Sequence, residues 1–197
     1  MKSYPLILED FLSEEETAVL LDASVNAHEA FEESFHLSPQ ERYKGKIALH
    51  KSIRRLYSRD AGNIMVDVTK RVLDLVKETD GTDDLWIEAP QFSRWSVGDA
   101  LNPGHADNCE ADGSPNSSSH RSHGVVVYLN EDFEGGTLFY PNQEIEFEPK
   151  AGSVAIHGGG LDYLHGVTEV TEGMRHTMAT FLTTDADHYN NHRQSFL

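Results

Sequence analysis

Cysteine is nearly absent from this chain. Cys109 stands alone among 197 residues, so no intrachain disulfide can form, and a reducing, cytoplasmic compartment is the expectation. Long hydrophobic runs are missing as well: no apolar stretch approaches the ~20 residues needed to cross a bilayer, which predicts no membrane partner. Basic residues are scarce, with 16 Lys and Arg against 33 Asp and Glu and a formal net charge of −17. Such a chain repels phosphate backbones, and its densest basic cluster, Lys51-Ser52-Ile53-Arg54-Arg55, is short. Nucleic acid is therefore excluded as an expected partner. The first ten residues lack a basic segment followed by an apolar stretch and do not read as a signal peptide. Hydrophobic content of 38% is ordinary for a globular protein, and the length fits one domain over residues 1–197.

Within that domain the pattern changes near residue 85. Before it the chain reads as helical support over residues 1–84. Ser13 followed three residues later by Glu16 forms a capping box, and Leu20, Leu21 and Val25 continue as an apolar stripe. A second helix is expected from Asp60 to just before Gly81, with Ile64, Val68, Val72, Leu75 and Val76 on one face. Residues 28–58 fit neither period. From Leu85 onward, short apolar segments alternate with Gly, Pro, Asn and Asp, giving candidate strands at 85–95, 123–129, 137–140, 143–148, 152–157 and 174–183. Many short strands with turn signals predict a mainly β fold with flanking helices (α+β): a jelly-roll core over 85–184 with the N-terminal helices packed outside. Residues 185–197 read as a C-terminal tail, and the small polar residues of 108–122 as a loop, either a lid or a surface insertion.

The chemistry is concentrated in four residues. His105 and Asp107 form an HxD pair whose side chains project to one side if the backbone is extended. A third ligand must come from a distant segment, and His165 lies 58 residues beyond Asp107. Two imidazoles and one carboxylate occupy one face of an octahedral Fe(II) ion and leave adjacent positions for a chelating cosubstrate and O2. Arg175 follows ten residues after His165, in a strand whose alternation places Arg175, Thr177, Ala179 and Phe181 on one face and His176 on the other. Its guanidinium is suited to grip the far carboxylate of a dicarboxylic cosubstrate.

The order of these pieces resembles the prolyl 4-hydroxylase branch of the Fe(II)/2-oxoglutarate-dependent dioxygenases. The resemblance runs through Arg94-Trp95-Ser96-Val97-Gly98-Asp99, the HxD pair, Val126-Val127-Tyr128-Leu129-Asn130, Gly135-Gly136-Thr137, Pro149-Lys150-Ala151-Gly152-Ser153, Leu164-His165-Gly166-Val167 and Gly173-Met174-Arg175. It implies a double-stranded β-helix fold, His105, Asp107 and His165 as iron ligands, and Arg175, Trp95 and Tyr128 as contacts to 2-oxoglutarate. It further implies O2 as cosubstrate and chemistry compatible with an ascorbate requirement. Three residues depart from the family pattern: Arg175 where lysine is usual in the collagen-type enzymes, Trp95 where a tyrosine is frequent, and Gly135-Gly136-Thr137 without the familiar Glu-Thr order. The expected reaction is hydroxylation of a C–H bond with release of succinate and CO2, on a prolyl residue in a peptide. Alternatives are a free amino acid or other small-molecule substrate and, in another class, a non-enzymatic metal-binding jelly roll.

Rivals exist for each role. His157 could replace His165 as third ligand, but the spacing of His165 to Arg175 suits a ligand strand turning through a short hairpin into the arginine strand. His157 then reads as a polar wall residue or a satisfied core histidine. Arg94 and Trp95 alternate, so at most one faces inward. His120 and His123 read as surface residues, and Cys109 as a bystander to a ligand set already complete.

Overall fold

The computed structural model describes residues 4–37 and 46–191. Ser13 caps α1 (Glu14–Asn26): its side chain accepts from the Glu16 N–H at 3.1 Å while the Glu16 carboxylate accepts from the Ser13 N–H at 2.9 Å. The buried side of this helix is Leu20, Ala23 and Ser24, with Ala27 just beyond it, so the stripe runs one step to the side of the expected one. Val25 is correspondingly exposed. Of residues 28–58, positions 38–45 lie outside the described residues, and the rest supply α2 (His28–Leu37), a strand β2 (Ile47–Leu49) and a short helix α3 (His50–Leu56). The long helix α4 (Arg59–Asp80) starts at a Ser58 cap and stops at Gly81, whose φ of 68° is the left-handed cap conformation that glycine adopts without strain. Ala61, Met65, Val68, Val72 and Val76 form its buried seam, three or four residues apart. None of the helices described is long and apolar enough to cross a membrane.

Two sheets carry the rest. The larger contains, in order, β1 (Leu6–Leu8), β10 (Val154–Gly158), β6 (Arg121–Tyr128), β13 (Met174–Thr183), β4 (Gln91–Ser96) and β2, with β3 (Trp86–Ile87) pairing the far end of β13. The smaller contains β5 (Leu101–His105), β11 (His165–Val167), β8 (Leu138–Tyr140) and β9 (Ile145–Phe147). A two-stranded ribbon joins β7 (Glu134–Gly135) to β12 (Val170–Glu172). The segment expected as one strand over 85–95 is split into β3 and β4. Pro90 offers no N–H, and four steps from Ile87 to Gln91 oppose three from Leu182 to Ala179, so one residue is extruded as in a bulge. The C-terminal tail includes a short helix, α5 (Ala186–Asn191).

Alternation sorts the larger sheet into two faces. Val125 and Val127 of β6, Val154 and Ile156 of β10, and Met178 and Leu182 of β13 share one core with Leu20, Met65, Val68 and Val72 of the helices. Each such side chain removed from water contributes roughly 1.5–3 kcal/mol. The opposite face looks toward the smaller sheet, where Tyr128, Ala155, Leu138 and Tyr140 form a second, smaller core with Phe147 and Ile145 against it. Side chains needed for chemistry occupy the part of this inter-sheet space that apolar residues do not fill.

Candidate functional site

His105 is the last residue of β5 and lies opposite His165, the first residue of β11, in the antiparallel register of the smaller sheet. Asp107 does not continue the strand. It sits in a bend just after β5, held by its own N–H to the Gly159 carbonyl at 2.9 Å. One oxygen of Asp107, Oδ1, lies 3.3 Å from His105 Nε2 and 4.0 Å from His165 Nε2. One ligand atom from each of the three residues falls within 4.8 Å of the others, the one such cluster of metal-binding side chains among the described residues. Cys109 is outside this cluster, although it borders the same cleft.

The route from His165 to Arg175 differs from the expected hairpin. β11 belongs to the smaller sheet and β13 to the larger, with β12 between them pairing β7. The chain therefore crosses from one sheet to the other within those ten residues and presents the two side chains to the same cleft from opposite walls. That cleft has a volume of about 590 Å³. Arg175, Thr177, Ala179 and Phe181 all face it, as alternation predicts, while His176 turns to the helices and meets Ser24 Oγ through Nδ1 at 2.9 Å. Of the neighbouring pair, Trp95 lines the cleft and Arg94 points away, donating to the Ser24 and Val25 carbonyls and stacking over Phe31.

The electrostatics of the centre follow from its burial. His165 is 6% exposed and its Nδ1 donates to the Tyr163 carbonyl at 3.0 Å, which leaves the Nε2 lone pair directed at the cluster. Burial, with the neighbouring His157, pushes its pKa down to about 3, favouring the neutral, ligating form. Burial alone would raise Asp107, but hydrogen bonds from His105 and His157 outweigh it and hold the carboxyl well below the usual range.

Arg175 presents the opposite problem. Its side chain is buried at 2% exposure, its Nε has no hydrogen-bond partner, and no carboxylate among the described residues pairs with it. The guanidinium lies 5.0 Å from the ring of Tyr128 and 5.4 Å from that of Trp95. The Tyr128 hydroxyl is likewise buried without a partner. Burial lowers the Arg175 pKa and raises that of Tyr128, the charge of the first opposing the shift of the second. Arg175 lines the cleft with Tyr128 buried beside it, and a cation and a phenol that each keep one unpartnered polar atom are suited to receive an anionic oxygen.

His157, the rival read from the sequence as a polar wall residue or a satisfied core histidine, is not among the three clustered ligands, and Gly124, which the sequence pattern did not single out, enters the site beside it. His157 is a core residue, with Tyr140 Oη 2.8 Å from its Nδ1 and Asp107 Oδ2 3.2 Å from its Nε2. Opposite it in the register is Gly124, where an added Cβ would stand 2.2 Å from Asp107 Oδ2 and 2.4 Å from His157 Nε2. The signal for His157 was its place on the inward side of an otherwise apolar strand. His123 is buried rather than at the surface, close to Asp80 Oδ2 at 3.3 Å. His120 bonds Glu88, which also takes a two-pronged contact from Arg121, both at 2.8 Å. The 108–122 segment borders the cleft through Asn116, Ser117 and Ser118, and Asn116 donates to the Asp107 carbonyl at 3.2 Å.

Comparison with known proteins agrees with this geometry. Residues 90–183 match the model of the 2OG-Fe(II) oxygenase superfamily, a stretch that includes His105, Asp107, His165 and Arg175. Human prolyl 3-hydroxylase 3 is 33% identical over 114 residues, covering 52% of this chain and 15% of that protein. Chicken (Gallus gallus) prolyl 3-hydroxylase 1 is 31% identical over 101 residues, covering 45% and 14%. The chain thus spans about one-seventh of the length of these relatives. Among solved structures, the viral collagen prolyl hydroxylase of Paramecium Bursaria Chlorella virus-1, in complex with 2OG, superposes with a TM-score of 0.65 at 18% identity, covering 92% of this chain and 96% of that one. A Trichoplax adhaerens prolyl hydroxylase in complex with a hypoxia inducible factor peptide fragment gives a TM-score of 0.70 at 17% identity, covering 96% and 87%. The shared architecture is the double-stranded β-helix. The family match falls on the segment that builds the centre: residues 90–183 of this chain are similar to the 2OG-Fe(II) oxygenase superfamily.

Proposed function

We propose that this protein is a prolyl hydroxylase that uses Fe(II), 2-oxoglutarate and O2 to oxidise a C–H bond of a prolyl residue in a peptide. One observation carries the reading: a His–Asp–His cluster and a buried guanidinium with an unpartnered Nε and no carboxylate partner among the described residues share a single cleft. The donor set fits the metal. Two ligands each about 2.1 Å from an ion and at right angles stand roughly 3 Å apart, close to the 3.3 Å between His105 and Asp107, and a sub-ångström movement of a side chain brings the 4.0 Å contact of His165 into the same range.

In this reading His105 Nε2, Asp107 Oδ1 and His165 Nε2 hold the iron. Arg175 takes the distal carboxylate of 2-oxoglutarate, Tyr128 donates its free hydroxyl to the same anion, and Trp95 packs against it. Bound iron with cosubstrate and O2 supplies the oxidant for the C–H bond, with succinate and CO2 as co-products. The protein's own work is to orient. His105 and His165 come from paired strands of the smaller sheet, Arg175 from the larger, and the two cores on either side of the cleft fix their separation. A reducing, cytoplasmic setting is part of the reading, supported by the single cysteine.

The prolyl preference is supported by the hydroxylases that resemble the chain in sequence and in fold. The test is succinate release by the purified protein with Fe(II) and 2-oxoglutarate, in the presence of proline-containing peptides, free proline or neither. Peptide-stimulated succinate with an equal yield of hydroxyproline is expected, and mass spectrometry with authentic standards identifies the hydroxylated carbon. Turnover stimulated by a free amino acid but by no peptide would refute the substrate assignment.

A further inference from the structure

Asp107 has two oxygens with different surroundings. Oδ1 faces His105 and His165, whereas Oδ2 is 3.2 Å from His157 Nε2. His157 is 1% exposed, and the Tyr140 hydroxyl, from a fully buried residue of β8, sits 2.8 Å from its Nδ1. These contacts define the protons. A ligating carboxylate is deprotonated and can only accept, so Nε2 of His157 must carry the hydrogen that it shares with Oδ2. Nδ1 is then the lone-pair side and accepts from Tyr140. Each contact in the row pairs a donor with an acceptor, and its His157 and Tyr140 members are shielded from solvent.

We propose that His157, held by Tyr140, is a positioning residue that ties Asp107 Oδ2 away from the metal and so enforces binding through Oδ1 alone. The inference rests on the iron-centre reading above and extends it. Its consequence is coordination number. A carboxylate that swung both oxygens onto the ion would occupy a position needed by 2-oxoglutarate or O2, and the Nε2–H bond opposes that rotation. Gly124 belongs to the same device: it faces His157 across the β6–β10 pair, and the absence of a side chain there is what lets Oδ2 and Nε2 meet. Tyr140 also packs its ring against His157 at 5.4 Å and His165 at 5.9 Å between centroids, beside the direct contact of the two imidazoles at 4.0 Å.

The experiment compares the whole protein with His157→Phe, His157→Gln and Tyr140→Phe, using Co(II) as a probe under anaerobic conditions. Calorimetry gives the metal affinity, and the visible spectrum, with and without 2-oxoglutarate, reports coordination number. His157→Phe is expected to lose about 10–100-fold in Co(II) affinity, as losses of outer partners to metal ligands do. Its spectrum should shift because the carboxylate is released. His157→Gln keeps a donor near the Nε2 position and should recover most of the affinity. Tyr140→Phe should fall between the two. If His157→Phe matches the parent in affinity and spectrum, the proposal is overturned while the metal centre stands. If His157→Phe does not fold, the proposal is decided by the other two: parent-like spectra and affinity in Tyr140→Phe together with a weakened His157→Gln overturn it. A loss in His157→Phe of more than 10⁴-fold, equal to that of His165→Ala, would instead make His157 a ligand and also overturn it. A parent that binds no Co(II) or Fe(II) overturns the iron-centre reading and this proposal with it.

Discussion

Arg175→Met separates the stability of the empty fold from the function of the cleft, because the two should move in opposite directions. In the parent the guanidinium is 2% exposed, its Nε is unpartnered and no acid among the described residues neutralises it. Desolvating such an ion costs several kcal/mol even after relaxation. The rings of Tyr128 and Trp95, at 5.0 and 5.4 Å, return up to about 2 kcal/mol each. Methionine keeps most of the apolar stem and removes the charge, so the ligand-free protein should gain about 1–2 kcal/mol, or roughly 2–8 °C in Tm for a chain of this length. Cosubstrate binding should move the other way. A two-pronged contact from arginine to a carboxylate comprises two charge-assisted hydrogen bonds at about 1.5–3 kcal/mol each, so its loss weakens 2-oxoglutarate by on the order of 10²–10⁴-fold. Thermal melts of the Mn(II)-loaded protein, with and without 2-oxoglutarate, read both effects, and calorimetric titration gives the affinity directly. The parent should melt lower and respond strongly to 2-oxoglutarate; the variant should melt higher and hardly respond. A variant that melts lower than the parent and binds 2-oxoglutarate as tightly would refute the reasoning, since Arg175 would then be a structural cation with a partner of its own.

Gly124→Ala should lower stability by about 1–3 kcal/mol through overpacking against Asp107 and His157, offset by a few tenths to 1 kcal/mol from reduced freedom of the unfolded chain, and should weaken Mn(II) binding at least about tenfold. Differential scanning fluorimetry with a metal titration checks both. Burial and the charge of Arg94 push the His176 pKa down to about 4 from an ordinary 6.5. Between those values the unfolded chain binds the proton and the folded one does not, so the contribution is present above pH 6.5 and is lost as pH falls toward 4, about 3 kcal/mol in all. Urea titrations from pH 7 to 4 should show this slope in the parent and a shallower one in His176→Gln. Ser13→Ala removes one half of the capping box and should cost about 1 kcal/mol, a fall of roughly 2–4 °C in Tm by calorimetry.

The features legible without coordinates are those set by neighbours along the chain. Ser13 and Glu16 cap a helix because they lie three residues apart, and Gly81 ends one because the left-handed conformation is open to it. In the same way, alternation in β13 was enough to send Arg175, Thr177, Ala179 and Phe181 to one face and His176 to the other. Residues 28–58 resisted reading because a ten-residue helix, a three-residue strand and a seven-residue helix are each too short to display a period.

Spacing along the chain proposed which side chains have the chemistry of the centre; only the tertiary structure decided how they meet. His105 and His165 are neighbours because β5 pairs with β11, and the ten residues from His165 to Arg175 cross between sheets instead of turning as a hairpin. His157 became part of the site through a partner fifty residues away, Asp107, and a register that set a glycine opposite it. The physical reason is that a strand's period specifies which face a residue occupies but is silent on what faces it across the gap. That choice is made by the burial of two apolar cores at once, a property of the folded chain as a whole.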